Sequence, residues 1–283
     1  MNMVKQARNV NANFWGNRPI RQAINVIVQI YEIQTPAEAE AMLSLGVDHI
    51  GSVVTDVQNW RRPQIRETIA AVADAGAVSS LILLFNDVDK ISAALDYYRP
   101  DVVHFCQSVT ADNPDWEAWC GKLISLQATV RQRFAEMAIM RSVPIAPAGK
   151  QNPVHMMTFA RYFEPLTDYF LTDTCIVEGE STCHAEQPVA GYIGITGQTC
   201  DWRMAAQLVE QSTIPVILAG GLSAENVYDG ILATRPAGVD SCTRTNAVDA
   251  EGHFIRFKKD PDRVARFVAE TRRAEESLCA PQN

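Results

Sequence analysis

The chain has 283 residues, of which 47% are hydrophobic and 20% charged, and its formal net charge is −8. This length suits one large α/β barrel or two smaller domains of a globular protein. The acidic charge and the lack of a long basic run argue against a nucleic-acid partner. The most apolar run, residues 79–85, is only long enough for a strand, so we expect no membrane association.

The first 22 residues are polar and lack the apolar core of a secretion signal, which predicts a cytoplasmic protein. Phe14 and Trp15 are the only bulky anchors in this N-terminal extension. We expect them to plug one end of the fold or to contact a partner subunit, which would make the protein a homo-oligomer; a flap over a ligand is the alternative. Seven cysteines, an odd number without CxxC spacing, predict reduced thiols rather than disulfides or structural zinc. We expect no metal and no cofactor.

From residue 24 onward, apolar β-branched runs alternate with amphipathic runs that carry helix signals. Thr35-Pro-Ala-Glu38, for example, is a capping box with proline at the first helical position. Strands are predicted at 24–33, 48–54, 78–85, 101–106, 138–145, 169–173, 215–219 and 238–242. Helices are predicted at 37–45, 63–75, 88–97, 114–134, 154–163, 202–210, 226–233 and 261–278.

Eight strands that are each followed by a helix predict parallel neighbours joined by crossovers. A closed barrel and an open doubly wound sheet both satisfy this pattern, because each buries its strands on both faces. The count of eight and a pair of phosphate-type loops at the end favour the barrel. The predicted fold is therefore a single (β/α)8 TIM barrel of the phosphate-binding type over residues 23–283, preceded by the extension at 1–22.

The phosphate prediction comes from the turn after the seventh predicted strand. Gly220 and Gly221 separate that strand from a helix whose start Ser223 and Asn226 can cap. Glycines allow close backbone approach and a helix N-terminus favours negative charge, so the turn suits a phosphate; a purely structural tight turn is the alternative. The next strand ends in Thr243 and Arg244, and loops after strands seven and eight of such barrels frequently bind phosphate together.

Six runs spread over residues 26–273 resemble one family. They are 35–40 (TPAEAE), 45–51 (LGVDHIG), 172–174 (TDT), 194–202 (GITGQTCDW), 216–227 (VILAGGLSAENV) and 235–240 (RPAGVD). Together they resemble phosphoribosylanthranilate isomerase, a phosphate-binding barrel enzyme of tryptophan biosynthesis. The resemblance implies an Amadori rearrangement, in which an aminoaldose phosphate becomes an aminoketose.

The resemblance also implies catalytic residues. The family's general acid, an aspartate at the end of strand six, corresponds to Asp173. Its general base, a cysteine after strand one, corresponds to Tyr31, and a phenol, with an ordinary pKa of about 10, needs activation to accept a proton. His104 and Cys106 share one face of the fourth strand, so His104 joins Tyr31 as a candidate proton carrier and Cys106 as a binding residue. Glu32 is a further candidate base, although adjacent strand residues face opposite ways.

Arginines supply the remaining candidate ligands for a phosphate or a carboxylate. Arg244 stands where the family has glycine and could clamp an anion bidentately, or could instead form a surface pair. Arg61 or Arg62 lies near the family's carboxylate-binding arginine, with a solvated loop as the alternative, and Arg141 on the fifth strand is a further binding candidate. The loop 175–193 is long and is a candidate lid; its Glu178, Glu180, Cys183 and His184 fit a solvated loop better than a metal site.

Three functions remain open on these residues. The first is an isomerase-type enzyme that acts on a small phosphorylated sugar or related phosphate ester by acid/base proton transfer. The second is a non-catalytic ligand-binding or interaction protein on the same scaffold. The third is phosphoribosylanthranilate isomerase activity with Tyr31 as a substitute base.

Overall fold

The computed structural model describes residues 25–108, 115–152, 155–176 and 191–280. Eight parallel strands follow one another in chain order and close into a barrel through pairing of the first with the last. This confirms the predicted TIM barrel and excludes the open sheet. The strands are β1 Ile27–Ile30, β2 His49–Val54, β3 Val78–Leu83, β4 Val102–Phe105, β5 Ala138–Ile145, β6 Tyr169–Thr174, β7 Val216–Leu218 and β8 Gly238–Ser241.

Eight α-helices cover the barrel, one after each strand in the described part of the chain. They are α1 Pro36–Ser44, α2 Pro63–Asp74, α3 Val88–Tyr98, α4 Trp116–Arg133, α5 Met156–Phe163, α6 Trp202–Gln211, α7 Val227–Thr234 and α8 Pro261–Cys279. Only half of the predicted capping box at α1 forms: the Thr35 side chain accepts from the Glu38 N–H, whereas the Glu38 carboxylate accepts from the Lys259 N–H. None of these helices combines the length and the apolar character needed to cross a bilayer. The N-terminal extension and most of the candidate lid lie outside the described residues.

Three aspartates tie the strands together in pairs at the amino end of the barrel. Asp48, Asp101 and Asp168 each precede an even-numbered strand, and each accepts a hydrogen bond from a backbone N–H of the strand before it. The donors are Val28, Ser79 and Ile139, at 2.7–2.8 Å. Hydrogen bonds to an ionised acceptor are stronger than neutral ones, so these loops anchor β1–β2, β3–β4 and β5–β6.

A two-stranded antiparallel sheet, β9 Asn246–Val248 and β10 Phe254–Lys259, follows the barrel and was not predicted. Glu32 anchors this sheet: its φ of 67° ends β1, and its buried carboxylate pairs with Arg256 and accepts from Asn246. Although burial opposes ionisation, Lys259 and Arg256 hold the pKa of Glu32 below its ordinary value. Glu32 is therefore already committed to a structural ion pair, which argues against its use as a base.

The barrel interior is filled by alternate residues of each strand, and the Tyr31 side chain enters it from the residue that follows β1. Its ring lies flat against the backbone of β2 at Gly51, where an added Cβ would come within 2.2 Å of the ring. A glycine at this position is therefore a condition for placing a tyrosine at the end of β1. The pairing of a bulky residue with a glycine across neighbouring strands keeps the interior close-packed.

We predict that Gly51→Ala lowers the free energy of unfolding by about 1–3 kcal/mol, because the new methyl group forces the Tyr31 ring off its position. Gly121→Ala is the matched control: Gly121 lies on α4 with open space around its Cα, and glycine-to-alanine in a helix stabilises by roughly 0.5–1 kcal/mol. Urea unfolding of both variants measures the difference. Equal stability of the two variants would contradict the packing account.

Candidate active site

A cavity of about 80 Å³ opens at the carboxyl ends of the strands, where the βα loops meet. Catalytic groups in barrels of this kind come from strand ends at this face. Nine of the site residues considered from the sequence line it: Tyr31, Glu32, His104, Cys106, Asp173, Gly220, Gly221, Thr243 and Arg244. The site is thus assembled from β1, β4, β6, β7 and β8 together with their loops.

Two predicted arginines lie elsewhere. Arg61 is exposed and its guanidinium stacks on the Trp60 ring, 4.9 Å from the centroid, within a surface aromatic cluster. Arg141 is fully buried behind the sheet, where it lies 4.3 Å from the Phe163 centroid and donates to the Gln107 side chain at 2.5 Å. Strand alternation explains its position, because its neighbours in β5 face the interior and Arg141 therefore faces the helices. Neither arginine lines the cavity.

The carboxyl pair

Two carboxyl groups face the same cavity, Asp173 on β6 and Asp240 on β8. Only β7 separates their strands, and the register places both at the same level as Ala219. Asp173 accepts from the Thr174 N–H at 2.9 Å, and Asp240 accepts from the Gln29 side chain at 3.1 Å. Gly194 packs directly against the first carboxyl, since a Cβ there would lie 2.5 Å from its Oδ2.

Burial shifts the pKa values of both carboxyl groups towards neutral pH. It raises the pKa of Asp173 to about 8, with a further contribution from the neighbouring charge of Asp240. It raises the pKa of Asp240 to about 7, against the hydrogen bond from Gln29 and the charge of Lys259. Both carboxyl groups therefore titrate close to neutral pH as a pair, so one can be protonated while the other is ionised in a single cavity.

Asp240 was not among the predicted site residues, although it lies within one of the runs that carry the family resemblance. The available signal was the alternation of β8, which puts Gly238, Asp240 and Cys242 on one face. The sequence alone does not say which face of β8 points into the barrel, because this is decided only when the barrel closes.

The interior hydrogen-bond chain

Tyr31 and His104 belong to a chain of four side chains that crosses the barrel below the carboxyl pair. The Tyr31 hydroxyl lies 2.5 Å from Ser80 Oγ and 2.8 Å from His104 Nδ1, and His104 Nε2 lies 2.8 Å from Ser142 Oγ. Each of these groups can donate or accept, so the chain is fully satisfied in either direction. Both serines were missed in the sequence, because they lie among apolar strand residues.

Burial keeps both titratable members of this chain uncharged. It raises the pKa of Tyr31 well above its ordinary value of 10. It lowers the pKa of His104 to about 3, and the positive charge of Arg141 behind the sheet lowers it further. Burial and the charge of Asp173 likewise raise the pKa of the Cys106 thiol to about 12. These three groups are therefore neutral near pH 7, unlike the carboxyl pair.

The anion end of the cavity

The loops after β6, β7 and β8 meet at the other side of the cavity. Gly220 and Gly221 both have left-handed φ angles, 97° and 58°, and a Cβ on Gly221 would lie 2.5 Å from the backbone at Gln198. Asn226 does not cap α7 as predicted; its side chain accepts from the Ser223 N–H and donates to the Gly221 carbonyl, which fixes the turn. Glycine is required here for both conformation and close approach.

Arg244 closes this end from the loop after β8. Thr243 and Arg244 lie in a short 3₁₀ turn, and the Arg244 Nε donates to the Gly197 carbonyl at 2.9 Å. The rest of its guanidinium is exposed at the cavity, so its remaining N–H groups can reach an anion. The arrangement suits a phosphate held by backbone groups and one cation.

Residues 191–193 extend over the cavity from the end of the long loop. Tyr192 bridges to Gln107 at the end of β4, and its hydroxyl donates to Asn86 after β3. Residues 177–190 of this loop lie outside the described part of the chain, including all four side chains considered for a metal site, Glu178, Glu180, Cys183 and His184. Among the described residues, no cluster of acidic, histidine and cysteine side chains could hold a metal ion.

Comparison with known proteins

The sequence profile of the family described as N-(5'phosphoribosyl)anthranilate (PRA) isomerase matches residues 166–269. Two relatives named N-(5'-phosphoribosyl)anthranilate isomerase are similar over almost their full length. The protein from Methanosarcina acetivorans is 26% identical over 252 residues, covering 88% of this chain and 94% of the relative. The protein from Methanocella arvoryzae is 29% identical over 249 residues, covering 87% and 97%.

Solved structures share the fold. N-(5'-phosphoribosyl)anthranilate isomerase from Pyrococcus furiosus superimposes with a TM-score of 0.59 at 20% identity, over 88% of this chain and 100% of that chain. A phosphoribosyl anthranilate isomerase in complex with reduced 1-(o-carboxyphenylamino)-1-deoxyribulose 5-phosphate gives 0.60 at 18% identity, over 88% and 99%. The chain is thus similar in sequence to these isomerases over most of its length, and it shares the fold of the solved structures.

The carboxyl pair generates a prediction about stability. Burial raises the pKa of Asp173 from 3.8 to about 8, so the folded state binds this proton more tightly than the unfolded state. Its stabilising contribution is full below pH 3.8 and is lost as the pH rises through about 8. We therefore expect Asp173→Asn to become progressively more stable than the parent protein between pH 4 and pH 8.

Urea unfolding at several pH values measures this divergence, with Asp89→Asn, at an exposed site on α3, as the control. The control should follow the pH dependence of the parent protein. Parallel stability curves for Asp173→Asn and the parent would contradict a raised pKa at Asp173.

Proposed function

We propose that this protein is an aldose–ketose isomerase that acts on a phosphorylated sugar, as the names of its relatives indicate for them. The observation that carries the proposal is the carboxyl pair, Asp173 and Asp240, with pKa values of about 8 and about 7 in one cavity. Such an isomerisation needs an acid at the carbonyl or imine end and a base at the adjacent carbon. One proton shared between two carboxyl groups supplies both.

The two carboxyl groups take different roles in this proposal. Asp173, with the higher pKa, is protonated and gives its proton to the sugar oxygen, which opens the ring to the imine or carbonyl form. Asp240 is ionised and removes the proton from the neighbouring carbon. Asp240 then returns this proton to the first carbon of the enol or enolamine, and the hydroxyl on the second carbon loses its proton to the ionised Asp173. The ketose forms, and both carboxyl groups regain their starting protonation states.

The phosphate of the substrate is proposed to bind at Gly220 and Gly221, with Thr243 and Arg244 closing the site. The left-handed glycines and the free N–H groups of Arg244 support this role. It places the phosphate beside the carboxyl pair, since all of these residues line one cavity. Binding energy from the phosphate then orients the reacting carbons.

Tyr31 and His104 receive an orienting role instead of the proton-carrying role considered from the sequence. Their pKa values, well above 10 and about 3, leave both neutral near pH 7, which supports this assignment. A buried neutral phenol is a poor base. In the proposal, Asp240 therefore takes the role of general base that the family's cysteine has at the position of Tyr31. The chain through Ser80 and Ser142 would hold the Tyr31 hydroxyl at the floor of the cavity.

We predict that Asp173→Asn and Asp240→Asn each lower kcat by about 10²–10⁴-fold while KM changes little, because each removes one proton-transfer group. Tyr31→Phe, which keeps the ring but removes the hydroxyl, should lower kcat by no more than about tenfold. Steady-state kinetics with N-(5'-phosphoribosyl)anthranilate and with pentose phosphates that lack the aryl group would measure these effects.

The same measurements also distinguish this proposal from the alternatives, Tyr31 as the base and a non-catalytic protein. Turnover lost in Tyr31→Phe and retained in Asp240→Asn would transfer the base to Tyr31. Binding of every phosphate ester without turnover in the parent protein would support a non-catalytic protein instead.

A separate prediction concerns the phosphate. Gly221→Ala should weaken binding of inorganic phosphate and of a phosphate ester at least tenfold, because the methyl group collides with the backbone at Gln198 and strains a left-handed φ. Gly252→Ala is the control, since Gly252 also has a left-handed φ, of 87°, but nothing lies within 4 Å of its added Cβ. Ligand-induced shifts of the melting temperature report binding in both variants. Equal loss in both variants would show that strain, and not the phosphate loop, controls binding.

A further inference from the structure

A second and larger cavity, of about 480 Å³, opens at the amino ends of the strands. Its floor is the lowest inward-facing layer of the barrel, and αβ loops form its rim. The floor residues are Ile27, His49, Val78, Val102, Ala138 and Tyr169. The volume falls within the range of small-molecule sites, and the cavity lies at the opposite end of the barrel from the carboxyl pair.

His49 is the buried polar group of this cavity. It is 6% exposed, its Nδ1 has no hydrogen-bond partner among the described residues, and its ring meets Tyr169 edge-on at 6.4 Å. Burial lowers the pKa of His49 to about 4, although the charges of Asp48 and Asp101 act in the opposite direction. The imidazole is therefore neutral and offers one lone pair as a hydrogen-bond acceptor. An unsatisfied buried polar group of this kind calls for a partner.

The rim of the cavity is acidic. Asp48, Asp101, Glu136 and Asp168 line it. Asp168 pairs with Arg131 and Asp48 pairs with Arg272, which leaves two rim carboxylates without an ion pair among the described residues. The three aspartates each use Oδ2 to hold a strand N–H, and no partner for Oδ1 is found among the described residues. Free carboxylate oxygens near a neutral imidazole favour a ligand with several N–H donors and a positive charge.

The walls between rim and floor are apolar. Leu43, Val47 and Met137 line them, and Tyr169 forms one side of the floor. A ligand that fits must therefore bury a short apolar body and keep its charge towards the rim. A phosphate or a carboxylate is disfavoured as a ligand, because the rim carries four carboxylates and only two arginines pair with them.

We propose that this cavity binds a small organic cation, a primary ammonium or a guanidinium on a short apolar body. The ammonium donates to His49 and to the free oxygens of the rim aspartates, and the apolar body contacts Val47 and Met137. The site is independent of the proposed isomerase reaction, since none of its residues lines the cavity of the carboxyl pair.

Isothermal titration of the full chain with benzylamine and agmatine tests this proposal, with benzyl alcohol and benzoate as neutral and anionic counterparts. We expect saturable binding of at least one amine, at least tenfold tighter than either counterpart. Binding should also move the ring signals of His49 in the NMR spectrum, identified among the five histidines by a His49→Gln variant.

Three variants test the location of the site without changing the aspartates that anchor the strands. Ala138→Leu fills the floor and should weaken amine binding at least tenfold, whereas Ala41→Leu, at an exposed position on α1, should leave it unchanged. Glu136→Gln should weaken it by a smaller factor, because it removes one rim charge. Equal binding of benzyl alcohol, or amine binding that survives Ala138→Leu in a folded protein, would overturn the proposal.

Discussion

Closure of eight parallel strands decides which side chains of this protein face the interior. Alternation within each strand sends every second residue inward, and closure leaves no edge at which the register could slip. Asp173 and Asp240 come level with one another only because β7 is held between their strands. The same rule sends Arg141 outward, behind the sheet, although its neighbours in β5 face the cavity side. Which chemical groups the site contains therefore follows from the alternation of inward-facing and outward-facing residues along each strand.

Burial of the carboxyl pair lowers the stability of the folded state, and interactions elsewhere in the barrel must offset this loss. Burying two acids raises both pKa values, so ionising them at neutral pH destabilises the folded state. Gln29 and the Thr174 N–H each supply one hydrogen bond, and Lys259 supplies a nearby charge, which limits the cost without removing it. Carboxyl groups with pKa values close to neutral pH are typical of proton-transfer sites and are difficult to explain by packing alone.

How much of this the sequence predicts depends on how local each feature is. The strand and helix rhythm, the Gly220–Gly221 turn and the position of Asp173 are local patterns, and the structure has them where they were expected. Asp240 was missed because its relation to Asp173 arises only when distant strands close. The sheet of β9 and β10 was missed for a similar reason: its anchor, Glu32, lies more than 200 residues earlier in the chain. Arg141 was wrongly predicted to bind the ligand because the alternation of inward-facing and outward-facing residues was not applied to β5.

The interior is also divided by charge along the barrel axis. At its centre, Tyr31, His104 and two serines form a chain in which every polar group is satisfied and none is ionised near pH 7. The groups that can titrate near neutral pH lie above this chain, at the cavity that opens at the carboxyl ends of the strands. Protons exchanged with a ligand in that cavity are therefore confined to the carboxyl pair, because His104 resists protonation and Tyr31 resists ionisation. The neutral centre also separates that cavity from the acidic one at the amino end, so the anionic and the cationic ligands that we propose would bind at opposite ends of the barrel.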